Sequence, residues 1–146
     1  MRLKLQISIL LICISQFVFS QKFNHSYLLG KWSLISEVSE DSSIIKNSDS
    51  TEQEYYNFFK NGTYKHTRIR NDDRMKGTFY SVGKWKIISG TIMLYNRRPE
   101  PNQPNVIYHD LKYSILLLSQ TRLILYGNFS IGGEGNDGSA NFKKIK

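Results

Sequence analysis

Side chains that could carry out acid–base, nucleophilic or metal chemistry are few and scattered in this sequence. The three histidines, His25, His66 and His109, lie far apart, with no short His-x-His or His-x-x-x-His spacing. No Gly-x-Ser-x-Gly motif occurs, and the run GGEGNDG lacks the lysine and the strand–helix context of a phosphate-binding loop. A flexible, solvated loop is the favoured interpretation of this run. Calcium binding by Glu134 and Asp137 is the alternative. The sequence therefore predicts a non-enzyme with no metal site and no cofactor.

The N-terminus has the organisation of an export signal. Arg2 and Lys4 precede an apolar run over residues 7–19, and the letters VFS then supply a cleavage site. We expect a signal peptide over residues 1–20, followed by one mature domain over residues 21–146. The apolar run is shorter than the roughly 20 residues that span a bilayer, so no stable membrane span is expected after cleavage. The predicted location is secreted or periplasmic.

Composition restricts what the mature chain can be. The only cysteine, Cys13, lies inside the signal, so the mature domain must fold without disulfides. Loss of the two signal-peptide cations lowers the formal net charge from +8 to +6. A basic, aromatic-rich small domain can bind nucleic acid, but an exported protein meets little of it. We therefore expect no nucleic-acid partner.

The mature sequence is patterned as short strands and turns, with no long amphipathic helix. A short helical turn is expected near Asn24–Leu28, and a polar loop over residues 39–51. Strands linked by tight turns favour an antiparallel, all-β meander. The predicted strands are Leu29–Val38, Gln53–Lys60, Thr63–Arg70, Lys76–Ile88, Thr91–Asn96, Val106–Leu118, Leu123–Tyr126 and Ala140–Ile145.

Two dipeptides predict hairpins. Ser89-Gly90 is expected to form a two-residue type I′ turn, which places one apolar face inward and two lysines outward. Asn61-Gly62 is expected to form the same turn. That register would group Tyr55, Asn57, Phe59, Tyr64 and His66 on one mixed face. The cations in KHTRIRNDDR alternate with apolar residues, which predicts an ordinary solvated strand face. For the Ser89-Gly90 hairpin, the inward residues would be Trp85, Ile87, Ile92 and Leu94, and the outward ones Lys84 and Lys86.

Several motifs in order resemble the lipocalin-like domains of the calycin group, in particular those of exported bacterial proteins. They are LLGKWSLIS, NFFKNGTY, GKWKIISGTIMLY, YSILLLSQTRLILY and SANFKKIK. The resemblance implies a single antiparallel up-and-down β-barrel of about eight strands. Such a barrel either holds one small apolar ligand or has a filled core.

The resemblance also assigns structural residues. Gly30, Trp32, Gly83 and Trp85 are expected to pack in the core rather than to bind ligand. In typical lipocalins the signature tryptophan packs beneath an arginine late in the chain. The last strand here contains lysines only, so Arg122 is the nearest candidate for that role.

The expected function is non-catalytic binding of a small hydrophobic or amphipathic ligand by a monomeric barrel. The alternative is a barrel with a solid core that acts as a protein-interaction or inhibitor module at the cell envelope. Polar side chains at the mouth would orient the head of a ligand. The candidate ligand-binding residues are Tyr56, Phe58, Tyr64, His66, Arg68, Phe79, Tyr95 and Tyr113.

Overall fold

The computed structural model describes residues 23–42, 45–47, 51–71, 76–99, 109–129 and 136–146. These residues form a short 3-10 helix, His25–Leu28, and nine strands. The predicted signal peptide, residues 1–20, lies outside the described residues. The strands are β1 (Gly30–Ser39), β2 (Ile45–Asn47), β3 (Glu52–Phe58), β4 (Thr63–Asn71), β5 (Lys76–Ile88), β6 (Thr91–Pro99), β7 (Leu111–Leu118), β8 (Arg122–Phe129) and β9 (Asn136–Ile145).

Eight of the described strands close into an antiparallel barrel. The order runs β1-β3-β4-β5-β6-β7-β8-β9, and β9 pairs back with β1. The predicted all-β, up-and-down barrel is therefore confirmed. Closure gives each of these eight strands a neighbour on both sides, which removes the exposed edges of an open sheet.

The ninth strand, β2, corrects the sequence analysis, which predicted only a polar loop over residues 39–51. β1 pairs with β3 over Gly30–Ser33 and with β2 over Ser36–Val38. β3 has left β1 by that point, so the second half of β1 needs another partner for its backbone groups. The three residues of β2 supply this partner. Their sequence has no alternation of apolar and polar residues, which is the pattern that predicts a strand.

The Ser89-Gly90 hairpin is confirmed to the level of residue pairs. Ile87 is opposite Ile92 and Trp85 is opposite Leu94, as a two-residue loop requires. Ser89 and Gly90 have φ of +48° and +76°, the two positive values of a type I′ turn.

The Asn61-Gly62 hairpin exists, but the predicted turn type is wrong. Of these two residues only Gly62 has a positive φ (+79°), and the amide of Phe59 donates to the carbonyl of Thr63. The Asn61 side chain instead accepts bonds from the amide and hydroxyl of Thr63. The loop is therefore longer than two residues, which shifts the register by one.

This shift overturns the predicted mixed face. Phe58 is opposite Tyr64, and Tyr56 is opposite His66. Tyr56 and Phe58 are therefore buried inside the barrel, whereas Phe59 is 41% exposed. Side chains alternate along a strand, so Tyr55 and Asn57 point to the other face from Tyr56 and Phe58.

One end of the barrel is closed around Trp32, as the signature predicts. Trp32 is fully buried, and its Nε1 donates to the carbonyl of Leu28 at 2.7 Å. The Nζ of Lys144 lies 5.1 Å from the centre of the Trp32 ring and donates to the carbonyl of Tyr27 at 2.8 Å. The cation above the tryptophan is thus Lys144. The expectation for Arg122 is wrong, because Arg122 is exposed.

The interior changes character along the barrel axis. Its closed half is filled with apolar side chains, including Trp85, which packs against Phe58 with the ring centres 5.8 Å apart. Towards the other end, the buried residues include Glu37, Ser39, Glu54 and Ser81. The apolar core therefore ends partway along the barrel. Its buried members include Trp32, Leu34, Phe58, Tyr64, Ile92, Leu94, Ile115, Leu123, Leu125 and Phe142.

Candidate functional site

A cavity of about 400 Å³ occupies the barrel beyond the apolar core. This volume lies in the lower part of the roughly 300–1,000 Å³ range of small-molecule sites. Its wall combines aromatic, cationic and acidic side chains from β1 and from β3 through β8. The lining residues are Glu37, Glu54, Tyr56, His66, Arg68, Arg70, Phe79, Tyr80, Ser81, Arg97, Leu111, Tyr113, Asn128 and Phe129.

The structure brings five of the eight candidate ligand-binding residues to this cavity. They are Tyr56, His66, Arg68, Phe79 and Tyr113. Phe58 and Tyr64 lie in the packed core next to it. Tyr95 lies beside Lys86, whose Nζ is 5.3 Å from the tyrosine ring centre. The assignment of these residues to ligand binding stays a prediction.

Strands β3 and β4 build an ionic wall from residues at alternating positions. The register places Glu54 opposite Arg68 and Glu52 opposite Arg70. Arg68 Nε lies 2.8 Å from Glu52 Oε1, and its Nη2 lies 3.4 Å from Glu54 Oε2. The prediction that the cations of KHTRIRNDDR form a solvated face is therefore wrong for Arg68 and Arg70, which line the cavity.

His66 is fixed where this ionic wall meets the aromatic core. Its Nε2 lies 2.8 Å from Glu54 Oε1, and its Nδ1 lies 3.5 Å from the Ser81 hydroxyl. The ring also stacks on Tyr56, with the centres 4.4 Å apart and the planes 17° apart. A ring held by both nitrogens and by one face has little freedom to rotate. His66 therefore presents a fixed surface to the cavity.

The opposite wall is aromatic. Tyr113 of β7 and Phe129 of β8 stack with their centres 4.6 Å apart and their planes 9° apart. Burial raises the pKa of Tyr113 and of Tyr56 above the ordinary value, and the positive charge of Arg97 opposes that rise at both. Both phenols therefore stay neutral at physiological pH and keep a proton to donate.

The analysis of the sequence missed the charged part of the cavity wall, namely Glu37, Glu54, Arg70 and Arg97. Period-two spacing was a usable signal for one of them, Glu54. In EQEYYNF, Glu52 and Glu54 fall on the same side of the strand as Tyr56. No local pattern marks Glu37 or Arg97.

Metal-binding clusters and membrane-spanning helices are both absent from the described residues. None of their His, Cys, Asp and Glu side chains form a group of three or more that could hold a metal ion. In the same part of the chain, no helix combines the length and apolar character needed to cross a bilayer.

Comparison with known proteins supports the barrel architecture. A family model described as a lipocalin-like domain matches residues 28–125. A lipocalin-like protein from Bacteroides uniformis has a similar structure, with a TM-score of 0.57 and 21% identity, over 82% of this chain and 99% of that one. An uncharacterized protein from Bacteroides eggerthii is also similar, with a TM-score of 0.54 and 16% identity, over 81% of this chain and 99% of that one. No curated protein matches the chain.

Proposed function

The chain belongs to the lipocalin-like domain family, and from this premise we propose that it is an exported, non-catalytic protein that binds a small amphipathic molecule. One observation carries the proposal: a cavity of about 400 Å³ interrupts the barrel interior beyond the apolar core. A barrel with only a structural or protein-binding role has no need for such a space. The cavity therefore favours ligand binding over the filled-barrel alternative.

The mixed wall supports an amphipathic ligand rather than a purely apolar one. Phe79, Tyr113 and Phe129 offer apolar surface, whereas Arg68 and His66 offer fixed polar groups. Small-molecule sites commonly combine an apolar lining with a few placed polar groups that set orientation. We expect the ligand to bury its body against the aromatic wall and to direct its polar head to the ionic wall.

Native mass spectrometry tests this function directly. The purified protein would be incubated with a lipid and haem extract, exchanged into volatile buffer and examined for an added mass. Ser81, which is 2% exposed and lines the cavity, would be replaced by leucine to fill the space. Thr78→Leu, at an exposed position on the same strand, is the matched control.

The expected result is an added mass on the wild-type protein and on Thr78→Leu, but not on Ser81→Leu. Failure of the wild type to retain any molecule from repeated extracts would contradict the proposal. Equal retention by Ser81→Leu would place the bound molecule outside the cavity. Export is tested separately, by N-terminal sequencing of the extracytoplasmic protein, where we expect the chain to begin at Gln21.

A further inference from the structure

The cavity contains a polar centre that the β3–β4 ionic wall does not include. Arg97 reaches the cavity from β6, and its Nη1 donates to the backbone carbonyl of His109 at 2.9 Å. This bond orients the planar guanidinium group, whose N–H donors form a fixed fork. Arg97 thus supplies a positioned cation to the cavity.

Two tyrosine hydroxyls lie in the field of this guanidinium. Tyr56 and Tyr113 are 8% and 4% exposed, and both line the cavity. Arg97 lines the same cavity, and its positive charge opposes the rise in the pKa of both phenols. Neither hydroxyl makes a hydrogen bond to another group within the part of the chain that the structure describes. Both tyrosines line the cavity, so a bound molecule that accepts hydrogen bonds suits this position.

The carboxylates of the wall limit where such an acceptor can sit. Glu54 lies within 3.4 Å of Arg68 and 2.8 Å of His66, so its charge is directed into the ionic wall. Glu37 is 4% exposed and lines the cavity, and its negative charge reaches Tyr113. An incoming anion would be repelled by Glu37 and attracted by Arg97.

The aromatic pair of Tyr113 and Phe129 indicates the shape of the molecule. Its rings are stacked almost parallel, which forms a flat apolar surface next to the two hydroxyls. Planar ligands gain both apolar burial and favourable stacking on such a surface.

We propose that the ligand is a planar organic oxyanion whose anionic group is bound by the Arg97 guanidinium and the hydroxyls of Tyr56 and Tyr113. This inference rests on the proposed function and adds the charge and shape of the ligand. Charge-assisted hydrogen bonds to a guanidinium are among the stronger polar interactions in proteins. The site therefore selects anions over neutral molecules of the same body.

Two fluorescent probes with nearly the same aromatic body test this selectivity. One is the anion 8-anilinonaphthalene-1-sulfonate, and the other is neutral N-phenyl-1-naphthylamine, which lacks the sulfonate. Titration of the wild-type protein should give about tenfold or tighter binding of the anion, the factor expected for a charge-assisted hydrogen bond. Ser81→Leu should abolish binding of both probes, which confines the signal to the cavity.

Single substitutions locate the anion site. Arg97→Gln should remove the tenfold preference, and Arg97→Lys should restore part of it. Glu37→Gln should strengthen anion binding, because a repelling charge is lost. Tyr113→Phe, which keeps the ring, should weaken binding of the anion about two- to tenfold and leave the neutral probe unchanged. The control is Lys86→Gln, which removes an exposed cation beside Tyr95, outside the cavity lining.

Each outcome separates this inference from the proposed function. Equal affinity for the two probes would overturn the anion inference and leave ligand binding intact. A preference that survives Arg97→Gln in a folded protein, or disappears in Lys86→Gln, would also overturn it. If neither probe binds, the inference fails, and the extract experiment alone then decides the proposed function.

Discussion

Replacing Lys144 by methionine tests whether this lysine closes the barrel above Trp32. Methionine keeps most of the apolar stem and removes the ammonium group. The ammonium donates to the carbonyl of Tyr27 at 2.8 Å and lies 5.1 Å from the Trp32 ring centre. A hydrogen bond from a charged donor contributes about 1.5–3 kcal/mol, and a cation–π contact contributes about 0.5–2 kcal/mol. Since one partly exposed group makes both contacts, we expect a combined loss of about 1.5–3 kcal/mol rather than the sum.

Urea unfolding followed by tryptophan fluorescence measures this loss, because Trp32 reports on the same end of the barrel. For a domain of this size, each kcal/mol lowers the Tm by about 4 °C. Lys143→Met is the matched control, since Lys143 is the exposed neighbour on the same strand. Lys144→Arg should retain most of the stability. Equal unfolding midpoints for Lys144→Met and Lys143→Met would refute the assignment of Lys144 as the closing cation.

Three further predictions concern packing, turn geometry and pH. Gly83→Ala should destabilise the barrel by about 1–3 kcal/mol in urea unfolding, because a Cβ there would lie 2.8 Å from the Tyr64 ring. A change under about 0.5 kcal/mol would contradict this packing argument. Ser89→Asn should raise the free energy of unfolding by a few tenths to about 1 kcal/mol, and with it the Tm, since asparagine tolerates positive φ better than serine. A lower Tm would contradict this turn argument. Burial raises the pKa of Tyr56 and Tyr113, so the native state keeps protons that the unfolded state releases above about pH 10. The contribution of these two tyrosines to stability should therefore be fully present below that pH and fall above it. The decline should be shallower when both tyrosines are replaced by phenylalanine. An identical alkaline decline in that double variant would count against these residues as its source.

The two hairpins show which parts of the fold the sequence determines locally. Ser89-Gly90 was predicted to the residue pair, because both residues adopt the positive φ that a two-residue turn demands. Asn61-Gly62 has the stronger turn signal, yet its turn type was wrong. The Asn61 side chain binds Thr63, so the backbone of Asn61 does not need the left-handed conformation. A side-chain bond of this kind is not visible in the dipeptide, and it moves every neighbouring side chain by one register position.

The candidate site was predictable in its aromatic part and not in its charged part. Tyr56, Phe79 and Tyr113 are large aromatic residues on strands, for which the barrel interior is the favoured position. Arg68 was also a candidate, but the alternation around it was interpreted as a solvated face. Arg97 lies where the pairing of β5 and β6 shifts register, between the Val82–Arg98 and Lys84–Tyr95 pairs, and no local pattern encodes this irregularity. Charge on a strand therefore does not identify the outward face when the barrel holds a cavity.

The ionic wall has no evident role in stabilising the fold. Along β3 and β4, the opposite pairs change from Phe58–Tyr64 to Glu54–Arg68 within two steps along one face. Removing a carboxylate and a guanidinium even partly from water has a desolvation cost, which their attraction often does no more than offset. An apolar pair at the Glu54 position would stabilise the barrel at least as well. The ionic pairs begin at the level where the apolar core ends and the cavity starts. Their position is therefore better explained by what the cavity must hold than by what the barrel needs to fold.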